Sequence, residues 1–297
     1  MSHKFRFSKE SKARLKSFFL GEKYEAQEET KSAEAPAEPQ PAAEAVPAAP
    51  AAANPASKGD ITVVSRTDVG KMRKTNQDAL IEAPELCLWG VADGMGGHNG
   101  GETASAGARD GLLELLAGQT PEQGTLRTAI GAVNRRLFLQ QKEDEKLAGM
   151  GTTLTALWLS ESCVYIGHVG DSRAYRLREG EFRQITEDHS VVAELLRSGM
   201  ITPEQAATHP MRNVITRAVG TEDGIEIDLL CEERKAGDVW LVCSDGLYGM
   251  VGDEKIEEIL RANKPEKAAD LLLKAALEGG GRDNISLVIL LDKEGAV

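Results

Sequence analysis

Four short segments of the chain set an aspartate at an edge of an apolar run, beside glycine, asparagine or glutamine. They are Asn76-Gln77-Asp78, Asp93-Gly94-Met95-Gly96-Gly97-His98, Ser244-Asp245-Gly246 and Arg282-Asp283-Asn284. A carboxylate at a strand end can point out of a sheet while its backbone stays hydrogen-bonded within it. Several of them converging make a cage of hard oxygen ligands, the kind Mg²⁺ and Mn²⁺ prefer. Glycine after Asp93 lets a backbone carbonyl approach a cation as a further ligand. Taken singly, each aspartate also fits a tight turn or a helix N-cap. Their common grammar points instead to one metal site, because unpaired buried carboxylates are costly and bound cations offset that cost. A phosphate-cradling loop is a poorer match for 93–98, which lacks the Lys and Ser/Thr of a P-loop.

The elements that must carry these aspartates are legible as apolar runs. Strands are predicted at 61–65, 79–82, 86–92, 152–159, 163–169, 173–177, 182–185, 225–230, 238–243 and 284–291, with a hairpin turn at Arg178-Glu179-Gly180. Helical spacing of Ala, Leu and Ile predicts long helices over 99–116 and 120–141, with Gly118 as a stop. Further helices are expected near 190–198, 203–208, 253–261 and 265–278. Strand runs before and after paired helices suggest segregated layers, an α+β arrangement rather than regular βαβ alternation.

Composition narrows the function. The 297 residues include 35 basic and 47 acidic ones, a net charge of −12. Residues 1–57 are balanced, so the whole excess, 27 basic against 39 acidic, sits in 58–297. An acidic body argues against nucleic acid as the ligand. It suits carboxylates neutralised by cations. Cys87, Cys163, Cys231 and Cys243 show no CxxC pair and read as small buried hydrophobes. No run reaches the roughly 20 apolar residues of a membrane span, and no apolar signal core follows the basic N-terminus. The chain reads as cytoplasmic and monomeric. Residues 1–24 form a basic, partly amphipathic segment suited to docking on an anionic membrane surface or an acidic partner. Residues 25–57 are rich in Ala, Pro and Glu and read as a disordered linker. A globular domain is expected over 58–297.

Ordered motifs then carry a resemblance. Arg73 with Asn76-Gln77-Asp78, DGMGGH at 93–98, MGTT at 150–153, HVGDSRAY at 168–175, ITEDHS at 185–190, CSDGL at 243–247 and GRDNIS at 281–286 run in sequence over most of the globular region. In this the chain resembles the metal-dependent serine/threonine protein phosphatases of the type 2C family, in their bacterial form. The resemblance implies a four-layer αββα sandwich, two antiparallel sheets flanked by helices. It also implies hydrolysis of phosphoserine and phosphothreonine in proteins by a metal-bridging hydroxide, opposing a cognate kinase. The alternatives are the same scaffold acting on phosphotyrosine or phosphohistidine, or a non-catalytic regulatory module.

Carried over by position, Asp93 resembles the carboxylate bridging two Mn²⁺ or Mg²⁺ ions, with the Gly94 carbonyl on the first. Asp78, Asp245 and Asp283 resemble the remaining carboxylates, several acting through water. Asp171 resembles the residue that, with Asp245, holds a third ion. Arg73 matches the arginine that binds substrate phosphate, while Asn284 and Thr153 shape the site from behind. The segment 187–220 corresponds to the family's mobile flap. Two positions depart from eukaryotic relatives: Gln77 stands where many have glutamate, and Met95 where they place a proton-donating histidine. His98 and a metal-held water are then the candidates for general acid.

Overall fold

Alternation on strands that are buried on both faces builds this molecule. In the computed structural model, which describes residues 61–96 and 100–293, strand β10 (Val239–Cys243) turns Trp240 and Val242 to one side and Leu241 and Cys243 to the other. Its neighbour β11 (Ile285–Asp292) does the same with Val288 and Leu290 against Leu287 and Ile289. A strand needs such a continuous apolar run when both of its faces are covered.

The first sheet runs β1-β11-β10-β7-β8, with β1 at Ile61–Asp68, β7 at Arg173–Arg178 and β8 at Glu181–Gln184. The second runs β2-β3-β5-β6-β9, made of β2 (Asp78–Ala83), β3 (Leu88–Met95), β5 (Leu154–Leu159), β6 (Cys163–Val169) and β9 (Asp228–Glu233). A two-residue strand, β4 (Gly151–Thr152), pairs with the end of β3. Every pairing is antiparallel.

Between the sheets Trp89, Val91, Leu157 and Ile166 meet Ala174, Trp240, Val242 and Val288. The outer face of the second sheet is covered by α1 (Gly100–Leu116) and α2 (Gln123–Glu143). These bury Ala104, Ala108, Leu112 and Leu116, four residues apart, and Leu126, Ile130, Val133 and Leu137. Two short helices follow β8, α3 (Val191–Arg197) and α4 (Pro203–Ala207). The first sheet is covered by α5 (Asp245–Val251), α6 (Asp253–Ala262) and α7 (Pro265–Glu278) through Leu247, Ile256, Ile259, Leu260, Ala269 and Leu272. Each fully buried Leu or Val contributes about 1.5–3 kcal/mol. The result is the expected αββα sandwich.

Carboxylates also occur at the end of the sandwich where β10 starts and β11 finishes. Asp292 and Arg234, both 2% exposed, share two bonds of 2.7 and 3.0 Å. Fully buried Asp238 receives Arg178 at 2.7 Å on each oxygen, and Arg178 also donates to Glu233 O. These arginines fasten the end of β9 to the first sheet.

Local departures from the sequence reading have identifiable causes. Strand β3 continues past Asp93 to Met95, because the residues after Asp93 pair with β4. The predicted strand 152–159 is two strands, since Thr153 leaves the ladder to bond Asp93 and Ser172. β9 starts later than predicted: Ile225 and Ile227 pack in the helix-side core instead. Helix α5 was not predicted at all, its seven residues including Gly246 and Gly249. Cys87 and Cys243 are buried as expected, but Cys163 is half-buried and Cys231 exposed, on the edge strand β9. Residues 1–24, the linker 25–57 and His98 lie outside the described residues.

Candidate active site

At the opposite end of the sandwich the predicted aspartates come together. Asp245 follows the end of β10, Asp283 precedes β11, Asp78 opens β2, and Asp93 faces Asp78 across the β2–β3 ladder. Antiparallel order puts these termini on one side. A bond of 2.9 Å from Ser244 Oγ to Asp78 Oδ2 joins the two sheets there.

Backbone clamps hold the cluster. The Asp93 amide donates to Thr153 Oγ1 at 2.9 Å, and its carbonyl accepts from the Thr153 amide at 2.8 Å and from Thr152 Oγ1 at 3.0 Å. Thr153 Oγ1 is also 2.8 Å from Ser172 Oγ, so it ties Asp93 to the residue after Asp171. Gly94 is sterically required: a Cβ there would lie 2.0 Å from the Gly101 carbonyl oxygen and 2.6 Å from that of Gln77. The Asp171 carbonyl accepts from Tyr248 Oη at 3.1 Å, and Arg173 stacks over the Tyr248 ring while gripping Asp188.

The electrostatics are those of unneutralised like charges. Oδ1 of Asp78 and Oδ1 of Asp245 are both sealed from solvent with no hydrogen-bond partner. Burial raises the Asp93 carboxyl well above the ordinary range, and repulsion from Asp78, Asp245, Asp171 and Asp283 adds to it. Burial, followed by Asp171, Asp283 and Asp78, pushes Asp245 up to about 8. Asp171 rises to about 6, through burial and Asp188. Asp78 moves up through burial despite bonds from Ser286 and Ser244. Arg73 is the nearby counter-charge, its Nη2 2.7 Å from Asp283 Oδ2 with the guanidinium side chain half exposed.

Among the described residues no three His, Cys, Asp or Glu side chains form a chelate by themselves. The donor set is nonetheless all oxygen and strongly acidic, with two buried oxygens that no protein donor satisfies. It fits a hard divalent cation held in part by water and backbone carbonyl. It does not fit thiol chemistry: burial pushes the nearby Cys243 thiol far up, leaving it inert.

The segment 187–220 lies alongside. The His189 amide donates to Gly170 O at 2.8 Å, and Gly170 donates back to His189 Nδ1 at 3.0 Å. At the far end Val219 exchanges both backbone bonds with Thr152. His168 is buried, with Thr155 Oγ1 and Glu187 O on its two nitrogens, and burial lowers its pKa to about 4. Sequence reasoning did not single out Ser244 and Ser286, which support Asp78, or Tyr248 and Arg173 beside Asp171. Ser244 adjoins Asp245 within one motif. Ser286 closes the GRDNIS motif and Arg173 lies within HVGDSRAY, whereas Tyr248 gave no signal; the contacts of all three arise only through the fold.

Known proteins match this arrangement. The family model for protein phosphatase 2C covers residues 71–277, which include Asp78, Asp93, Asp171 and Asp245. The serine/threonine phosphatase stp of Listeria monocytogenes serovar 1/2a is 40% identical over 235 residues, 76% of this chain and 93% of that protein. The serine/threonine protein phosphatase PstP of Mycobacterium tuberculosis is 40% identical over 230 residues, 76% of this chain and 44% of its own length. A crystal structure of a PstP catalytic domain in complex with two manganese ions superposes with a TM-score of 0.71 at 38% identity, covering 78% of this chain and 99% of that one. With family model, relatives and two-sheet architecture all in agreement, the chain belongs to the protein phosphatase 2C family.

Proposed function

We propose that this chain removes phosphate from phosphoserine and phosphothreonine side chains of proteins, opposing a serine/threonine kinase, in a hydrolysis that depends on two or three Mn²⁺ or Mg²⁺ ions. The observation that carries the reading is the pair of buried, unpartnered oxygens on Asp78 and Asp245 within a ring of mutually repelling carboxylates. Asp93, the Gly94 carbonyl, Asp78, Asp245 and Asp283 would hold the central ions, and Asp171 with Asp245 a further one. Bound there, the cations supply Lewis-acid charge for the phosphoryl oxygens and a lowered pKa for the attacking water. Arg73 swings from Asp283 to the substrate phosphate, its planar guanidinium matched to two oxygens at once. Thr152 and Thr153 keep the Asp93 peptide fixed as charge develops, so no reorganisation is needed at that moment. His98 stays a candidate proton donor to the departing seryl or threonyl oxygen.

Among the described residues no helix is long and apolar enough to cross a membrane. Recruitment to a membrane surface or acidic partner is assigned to residues 1–24. Deleting 1–57 should leave peptide hydrolysis intact and weaken recruitment in the cell.

The test is turnover on a panel of phosphoserine, phosphothreonine, phosphotyrosine and phosphohistidine peptides, with Mn²⁺ and with excess chelator. Hydrolysis of the first two that vanishes in chelator is expected. Undiminished turnover in chelator would overturn the reading, and a preference for the other two would redirect it.

A further inference from the structure

We infer that Asn284 is the positioning residue for Arg73, and that it thereby sets the affinity of the site for phosphorylated substrate. This rests on the reading of Arg73 as the phosphate-binding group. Between β1 and β2 the chain from Val69 to Gln77 has no regular structure, and Lys71 to Thr75 are exposed. Five hydrogen bonds fasten this loop to one turn, 281–284. Two of them are Lys71 N to Gly281 O at 2.7 Å and Arg73 to Asp283. The other three belong to the Asn284 side chain. Its Nδ2 donates to Val69 O and to Thr75 O, both at 3.0 Å, and its Oδ1 accepts from Gln77 N at 2.8 Å.

Asn284 is 5% exposed, and this pattern uses both amide hydrogens and the oxygen. It grips the loop at its start, near its end and at the residue before Asp78, bracketing Arg73. No other side-chain type of that size offers two donors and one acceptor from a single planar group. Backbone geometry agrees. Gly70 sits at φ +76°, and a Cβ there would lie 2.2 Å from Asp283 O, so the loop is laid flat on the turn. An arginine on a free loop would have backbone as well as side-chain freedom to lose on binding phosphate. Fixing the loop removes part of that loss beforehand.

The experiment is a double-mutant cycle on the full-length, Mn²⁺-loaded chain with a phosphothreonine peptide. Asn284→Ala is expected to raise KM about tenfold with a smaller change in kcat, since displacements near 1 Å at a binding group already cost large factors. In the Arg73→Ala background the same substitution should change KM no further. Mn²⁺ binding by calorimetry should change far less than KM in Asn284→Ala, because the Asn284 bond to Asp283 Oδ1 comes from its backbone N–H and the three side-chain bonds all go to loop backbone. If Asn284→Ala does not fold, Asn284→Ser, too short to span the loop, takes its place. Independent effects of the two substitutions on KM would overturn the inference, as would a rise in KM explained by lost Mn²⁺ affinity. An unchanged KM in Arg73→Ala alone would instead remove the reading of Arg73 on which the inference stands.

Discussion

The two ends of the first sheet treat buried carboxylates in opposite ways. Where β10 starts and β11 finishes, Asp238 and Asp292 are each gripped by an arginine through two bonds. Where β10 finishes and β11 starts, Asp245 and Asp283 join Asp78 and Asp93 with one half-exposed arginine among them. The same side chain thus acts as a rivet at one end and as a held charge at the other. The difference lies in the supply of counter-charge. A paired carboxylate has little left to offer a ligand, whereas a repelled one gains from any cation that arrives.

The sharpest way to break this contrast is to neutralise one charge at each end. Asp93→Asn or Asp245→Asn should lower turnover by about three orders of magnitude, the scale of losing a principal electrostatic contact, with the protein still folded by circular dichroism. Near-normal turnover in either variant would reassign that carboxylate. At the other end, Asp292→Ala should cost about 3–5 kcal/mol in denaturant titrations, because it strands a buried guanidinium. The surviving folded fraction should keep its kcat. A loss of kcat without loss of stability there would abolish the distinction.

A third test uses pH. Asp245 titrates near 8 in the folded chain against 3.8 for an ordinary aspartate, so between those values the folded state binds more protons than the unfolded one. In chelator, stability should therefore fall as pH rises from about 4 to 8. Asp245→Asn should flatten that slope and melt above the parent at pH 8, although it is inactive. An equal slope in parent and variant would mean the charge is already compensated. The smallest effect is expected from Ser244→Ala, which removes the bond to Asp78 Oδ2. It should weaken Mn²⁺ binding about tenfold, the lower range for loss of a ligand's supporting bond. Unchanged calorimetric affinity would make Ser244 a sheet-to-sheet link only.

Legibility in the sequence followed the same division. The aspartates of the acidic end stand beside Gly, Asn or Gln at the edges of apolar runs, and that local grammar was readable. The β10 and β11 runs were equally plain, because both of their faces are buried. The arginine-held end gave no such signal: Arg234 and Asp292 are far apart in sequence and meet only through the pairing of sheets. Helix α5 was hidden by its glycines, poor helix formers whose cost tertiary packing through Leu247 offsets. Asn284 was visible as a neighbour of Asp283. Its grip on a loop some 200 residues earlier in the chain required the β1–β11 register.

The excursion between His189 and Val219 leaves and rejoins the body at Gly170 and Thr152, which flank the paired ends of β5 and β6. Chain that departs and returns at adjacent points can be lengthened, shortened or rewritten without disturbing either sheet, since doubling such a loop costs only about 0.6 kcal/mol in closure entropy. The excursion is thereby a replaceable cassette at the rim of the carboxylate cluster, rewritable while the strands that hold the aspartates stay in place.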